Sequence, residues 1–140
     1  MRQSTVTIPV VMSLILVLAT LSLAKVPIEV IDQSEDAVGV KLVYKVKEEF
    51  RRSEHFRAAE TDEQHVKLIL STMDRFGEAS QKGYATMYAA IWLLANPSDS
   101  VPDYYYTSTI GYAGDSRIDG VAGTLVAQTD KYFGDWLRWK

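Results

Sequence analysis

Two histidines and the acidic residues near them are the side chains of this 140-residue chain that could do catalysis or hold a metal. His55 and His65 share a polar stretch with Glu54, Glu60 and Asp62. A zinc site needs three or four converging ligands. Because the chain has no cysteine, such a site would have to recruit these carboxylates, and their spacing matches no zinc motif. We therefore interpret both histidines as exposed turn residues.

The sequence also lacks the motifs of nucleophilic catalysis and of phosphate binding. Hydrolases of the Ser-His-acid type commonly carry the serine in a Gly-x-Ser-x-Gly turn, and no serine here has that context. The glycines of GYAGDS, residues 111–116, lack the Lys-Ser or Lys-Thr pair of a P-loop. We predict a protein that is not an enzyme and has no cofactor. The alternative is a small periplasmic hydrolase or metal-dependent enzyme without a recognisable motif.

Aromatic residues give the strongest indication of a binding surface. The stretch DYYYTSTIGYAG, residues 103–114, holds three consecutive tyrosines and a fourth after six positions. A second aromatic stretch, YATMYAAIWLLAN, covers residues 84–96. Tyrosine and tryptophan offer large, stiff contact areas with a polar end, as binding surfaces require. The alternative is that these tyrosines only reflect strand preference and cross-strand pairing.

The C-terminal segment KYFGDWLRWK, residues 131–140, mixes aromatic with basic side chains. Trp136 and Trp139 could contact a membrane surface or a partner, because aromatic and basic residues together suit an interface. Alternatively, Phe133, Trp136 and Leu137 cap the hydrophobic core, and Trp139 is simply exposed.

The beginning of the chain has the pattern of a secretory signal peptide. An almost wholly apolar run from Ile8 to Ala24 follows a basic start, with small residues at Ser22 and Ala24. We therefore predict a signal peptide over residues 1–24, cleavage before Lys25, and a periplasmic or secreted protein. The alternative is an uncleaved N-terminal membrane anchor, because the run approaches the ~20 residues of a spanning helix.

Residues 25–140 have the length of a single domain. The whole chain has a formal net charge of −3. This balance argues against nucleic acid as a partner, because nucleic-acid binding needs clustered lysines and arginines. Without cysteines, an exported domain of this size has to be stabilised by its hydrophobic core.

The first half of the domain shows strand and helix periodicity in turn. KVPIEVID, residues 25–32, alternates as a strand does. A helix follows, with Ser34 or Asp36 as its N-cap. Its apolar stripe has spacings of three and four and comprises Gly39, Leu42, Val43, Val46 and Phe50. The glycine in this stripe should let the helix approach a sheet closely.

Four more strands and a second helix are predicted after it. The strands are Phe56–Glu60, Val66–Thr72, residues 84–96 and the tyrosine-rich stretch. Residues 62–73 could instead form a helix, because Thr61 and Gln64 have the spacing of a capping box.

In the closing helix, Ser116 and Asp119 have the same capping-box spacing. We expect Gly120 and Gly123 to allow close packing of this helix on the sheet. Its predicted buried face consists of Ile118, Val121, Ala122, Leu125, Thr129 and Phe133.

The resulting order, β-α-β-β-β-β-α, predicts an α+β fold. We expect a two-layer sandwich with a mixed sheet of about five strands and two helices on one face. The other face would then be free for a partner. We predict that Tyr84, Tyr88 and Trp92 share that free face with Tyr104 and Tyr106, or with the residues of opposite parity on that same neighbouring strand. The aliphatic side of residues 84–96 is expected to pack under the helices.

The junction after the first helix resembles a known family. Ser53, Phe56 and Arg57, followed by a strand containing VKLIL, resemble the small α/β domain of periplasmic proteins of the TolB amino-terminal and CsgG type. The resemblance implies a partner within an envelope assembly and no enzymatic activity. The predicted function is therefore a non-enzymatic exported binding or assembly domain of the bacterial cell envelope, with a protein partner.

Overall fold

The computed structural model describes residues 24–77, 83–97 and 101–135. The predicted leader, apart from Ala24, and the tail with Trp136 and Trp139 lie outside the described residues. The elements in chain order are β1 (Val26–Ser34), α1 (Ala37–Arg52), β2 (Phe56–Ala58), β3 (His65–Asp74), β4 (Ala85–Ala95), β5 (Tyr104–Gly114), a 3-10 turn (Asp115–Arg117) and α2 (Ile118–Phe133).

The five strands form one mixed sheet in the order β2-β1-β3-β4-β5. Strand β1 is parallel to both β2 and β3, whereas β3–β4 and β4–β5 are antiparallel pairs. The predicted α+β class and the order of strands and helices are confirmed.

Residues 62–73 form a turn followed by a strand, so the prediction of a strand is confirmed and the alternative of a helix is wrong. In β3 the buried residues Val66, Leu68, Leu70 and Thr72 alternate strictly, which is the period of a strand and not of a helix. Strand β2 is shorter than predicted because it ends at Ala58. Within it, Arg57 forms a two-point ion pair with Glu63 of the following turn, with both nitrogen–oxygen distances at 2.5 Å, which ties β2 to the turn towards β3.

Helix α1 is fixed to the sheet at its first turn. Asp36 is the N-cap, and its Oδ2 accepts a hydrogen bond from the Gly39 amide at 2.9 Å. Its Oδ1 accepts hydrogen bonds from the hydroxyls of Thr72 on β3 and Thr86 on β4, both at 2.8 Å. A Cβ on Gly39 would lie 1.8 Å from Thr72 Oγ1. The close approach predicted for this glycine is therefore confirmed.

The two helices lie side by side and run in the same direction. Lys41 near the start of α1 pairs with Asp115 at 2.6 Å, and Lys45 pairs with Asp119 at 3.4 Å. Beyond the end of α1, His55 Nδ1 lies 2.9 Å from Asp130 Oδ1 near the end of α2. The polar contacts therefore follow the helices from one end to the other.

Helix α2 has the predicted buried face but not the predicted start. Ile118, Ala122, Leu125, Thr129 and Phe133 are buried. The predicted capping box is wrong, because the chain enters α2 through the 3-10 turn, and Arg117, its N-cap, makes no side-chain cap bond.

The packing role predicted for two glycines of α2 is also wrong. A Cβ on Gly120 or Gly123 would meet nothing within 4 Å, and both residues are exposed. They lie on the solvent side of the helix, where no close approach to the sheet takes place.

Both helices pack on the same face of the sheet, as predicted. The core between the layers combines α1 and α2 residues with Val66, Leu68 and Leu70 of β3 and Ala90 and Trp92 of β4. We call this the helix face. Because side chains alternate across a strand, the residues between these buried ones point to the opposite face.

Candidate functional site

The opposite face of the sheet carries apolar side chains that neither helix covers. Strand pairing places Ile31, Ile69 and Ile91 side by side across β1, β3 and β4. The next rows bring Ala89 beside Ile110 and place Met87 between Met73 and Tyr112, while Leu93 lies beside Tyr105. We call this surface the open face: Ile31, Ile69, Met73, Met87, Ala89, Ile91, Leu93, Tyr105, Ile110 and Tyr112.

The residues of the open face are accessible to different degrees. Ile110 is 79% exposed and Met73 49%, while the isoleucines of the central row are half-buried by their neighbours. Three spacings of ~4.8 Å between four strands and six steps of ~3.3 Å give a plate of roughly 300 Å². Ser71 and Ser108 also lie on this plate, so its apolar part is smaller than the largest apolar patches on soluble proteins, which are often functional.

Charged residues mark the end of the open face where β3 begins. Glu29 Oε2 lies 3.2 Å from His65 Nε2, and Lys67 Nζ donates to Asp103 Oδ2 at 2.6 Å. The hydrogen bond from Lys67 lowers the pKa of the Asp103 carboxyl. At the other end, the guanidinium of Arg75 lies over the Tyr112 ring, 4.6 Å from its centroid.

The predicted membership of the free face is wrong for strand β4. Trp92 is fully buried on the helix face, where its Nε1 donates to Thr129 Oγ1 at 2.8 Å and its ring meets Tyr132 edge-on. Tyr88 is half-buried on the same side, with its hydroxyl against Gly111, and burial raises the pKa of its phenol. Tyr84, 67% exposed, precedes the strand.

The physical reason for this error is space. The Trp92 indole fills the space between the sheet and α2, and Thr129 supplies the acceptor that a buried indole N–H requires. The helices themselves contribute mostly medium-sized side chains at this position, such as Leu125 and Ala122. Among the described residues, the aliphatic side of β4 is therefore the side that neither helix covers.

A bulge redistributes the tyrosines of β5. The register shifts between Trp92 and Leu93, so that Thr107 faces Trp92 but Tyr105 faces Leu93. Tyr106 consequently packs towards the helices, with its ring 4.8 Å from that of Phe133. Tyr104 is exposed opposite Leu94.

Tyr105, the residue of opposite parity to Tyr104 and Tyr106, therefore occupies the place on the open face beside Leu93. Its hydroxyl lies 3.0 Å from Ser108 Oγ on the same face. Strict alternation along residues 103–114 could not reveal it, because a bulge leaves no clear signal in this run of tyrosines.

A second concave region lies where β2 ends early beside β1. This cavity of about 510 Å³ is walled by Ile28, Val30 and Phe50, with Lys47 and Arg51 among its other lining residues. His65 and Glu29 also reach it. The side chain of His65 is held by the Glu63 carbonyl oxygen, 2.8 Å from Nδ1, and by Glu29, so it links β1 and β3. The prediction of an exposed turn residue is wrong for His65, which is buried at the start of β3.

No cluster of three or more potential metal ligands occurs within residues 24–77, 83–97 and 101–135. In that same part of the chain, no helix has the length and apolar character needed to cross a membrane. No protein-family model, curated protein or solved structure matches the chain. The resemblance to the TolB amino-terminal and CsgG type stays a prediction.

Proposed function

We propose that this protein is a non-enzymatic binding or assembly domain of the bacterial cell envelope, and that a protein partner docks on the open face. The supporting observation is the uncovered row of Ile31, Ile69 and Ile91, bordered by Met73, Met87 and Ile110. Each apolar side chain removed from water by a partner contributes ~25 cal/mol per Å² buried. The charged pairs at one end would fix the orientation of the partner.

Export through residues 1–24 is part of this proposal. The basic and apolar pattern of the leader and the small residues Ser22 and Ala24 support delivery to the periplasm or the outside of the cell. The aromatic and basic tail with Trp136 and Trp139 would add peripheral contact with a membrane surface. The net negative charge of the chain supports a partner other than nucleic acid.

The test is site-specific photo-crosslinking in cells of the source organism. A photoreactive phenylalanine at Ile110, which is 79% exposed on the open face, should yield a covalent adduct with a partner other than a second copy of this chain. The same group at Tyr44, 64% exposed on the outer side of α1, is the matched control and should yield none. Equal adducts at both positions, or none at Ile110, would contradict the proposal.

Substitutions should then separate binding from folding. Ile91→Ser on the half-buried isoleucine row should weaken capture of the crosslinked partner, while Val40→Ser on the exposed side of α1 should leave it unchanged. Circular dichroism of both variants checks that the fold persists. Loss of the partner with both variants would point to a general loss of stability and not to docking on the open face.

A further inference from the structure

Strand β5 forms one border of the sheet, and no described residue pairs with its outer edge. The strand is eleven residues long, Tyr104–Gly114, and it contains no charged residue and no proline. Soluble proteins usually protect such edges with charges, prolines or short strands, because an unpaired edge invites another strand.

The opposite border of the sheet is protected in this way. Strand β2 has only three residues, and the central one, Arg57, is ion-paired with Glu63 in the turn that follows. The molecule therefore has one edge that resists pairing and one that permits it.

The backbone groups of β5 that face outward can be identified from the hydrogen bonds on its inner side. The Asp115 amide donates to the Tyr84 carbonyl at 3.3 Å, next to the pair Ala85 and Gly114. Since backbone groups alternate in direction along an antiparallel strand, every second residue from Thr107 to Ala113 directs its N–H and C=O at β4. The residues between them direct theirs outward: Ser108, Ile110 and Tyr112.

We propose that two copies of this protein associate through antiparallel β5–β5 pairing, which joins their sheets into one continuous sheet. Ile110 lies on the two-fold axis and faces Ile110 of the second copy, and Ser108 faces Tyr112 of the second copy. Every outward N–H and C=O of these three residues then finds a partner. The two open faces become continuous across the junction, whatever molecule binds them.

Two features favour a second copy over an unrelated strand. Identical strands are self-complementary under a two-fold axis, and an uncharged strand brings no like charges into opposition. The pairing also leaves no unprotected edge for a third copy. Once β5 is paired, the remaining borders are the two protected β2 edges, so that a dimer forms and not a fibre.

The size of this contact predicts a weak dimer. With Ile110 on the axis, nine residues of each strand, 106–114, can pair. At ~3.4 Å per residue, in a sheet about 10 Å thick with its side chains, they bury a section of roughly 310 Å² on each copy. This lies below the ~1,200 Å² total of a typical stable interface. Association should therefore depend on concentration, and it has to be measured from about 1 µM to about 1 mM.

The experiment is sedimentation velocity of the purified domain, residues 25–140, with variants at the axis. Wild type should shift from monomer to dimer over the concentration range. Ile110→Lys and Ile110→Glu should each remain monomeric at concentrations where wild type is dimeric, and an equimolar mixture of the two should dimerise again. A wild type that stays monomeric, or a mixture that does not recover the dimer, would overturn the proposal.

Amide hydrogen exchange distinguishes edge pairing from contact between two open faces. Edge pairing should slow exchange at Ser108, Ile110 and Tyr112 by at least tenfold as the dimer forms, while Thr109 and Gly111 change little. Ile69→Ser, in the middle of the open face, should leave the dimer intact. A dimer that Ile69→Ser abolishes, without protection of the three outward amides, would replace edge pairing with face-to-face packing.

Discussion

Asp36 joins three elements, and its removal should destabilise the whole domain. In Asp36→Ala the Gly39 amide loses its cap, which is worth ~1 kcal/mol at a typical N-cap. The hydroxyls of Thr72 and Thr86 lose a charged acceptor, and such bonds contribute ~1.5–3 kcal/mol each. Thr72 is 3% exposed and Thr86 is fully buried, so water replaces the carboxylate poorly at both positions.

The full loss is smaller than the sum of these three free-energy contributions, because part of each lost hydrogen bond can be replaced. Thr86 Oγ1 lies 3.1 Å from the Met73 carbonyl oxygen, to which its hydroxyl can turn, and Asp36 itself is only half-buried. We expect Asp36→Ala to lower the free energy of unfolding by about 3 kcal/mol, from a total of ~5–15 kcal/mol for a domain. At a urea dependence of ~1–3 kcal/mol per M, the midpoint should fall by about 1–3 M.

Equilibrium urea denaturation followed by tryptophan fluorescence measures this change. Glu35→Ala, an exposed neighbour, is the control and should change the free energy of unfolding by less than ~0.5 kcal/mol. A double-mutant cycle between Asp36→Ala and Thr72→Val should give a coupling of about 1 kcal/mol. If Asp36→Ala unfolds at the same urea concentration as the control, the reasoning about this junction is refuted.

Three further predictions concern the same fold. Arg57 lowers the pKa of Glu63 to about 2. The ion pair should therefore stabilise the fold fully above the ordinary pKa of ~4.3, and this stabilisation should decline as the pH falls towards 2. When the urea midpoint is measured against pH, Arg57→Ala should show a smaller decline over this range. Trp92→Phe should cost ~1 kcal/mol through the lost indole hydrogen bond, and Trp92→Ser ~3–5 kcal/mol, both read from urea midpoints. Gly39→Ala should lower the melting temperature, because the added methyl group clashes with β3. Gly120→Ala, on the solvent side of α2, should raise the melting temperature, because it adds up to ~1 kcal/mol to the free energy of unfolding.

The order of elements was predictable because each segment has one dominant period. The stripe of α1 from Leu42 to Phe50 repeats every three or four residues, and β3 alternates between Val66 and Thr72. These patterns, with short polar turns between them, define the α+β order and the single layer of helices. The strand ends were harder, because β2 ends where Arg57 meets Glu63, a contact between side chains six positions apart.

The periodicity of the sequence does not predict which face of the sheet the helices cover. Alternation separates the two sides of β4 correctly, but both sides contain apolar residues, and residue type alone favoured the aliphatic side as the core. The deciding interactions come from distant parts of the chain. Thr129 of α2 accepts the Trp92 indole hydrogen, and Gly111 of β5 leaves room for the Tyr88 ring.

The ambiguity of β4 is itself an argument about function. A strand that is apolar on both sides is typical of a sheet covered on both faces, yet the two helices of this domain cover only one. Met87, Ala89, Ile91 and Leu93 are therefore more apolar than the packing of α1 and α2 against the sheet requires. Polar residues at these positions would stabilise the isolated domain in water equally well, and they would not support docking. This excess of apolar residues supports our proposal that a partner covers the open face.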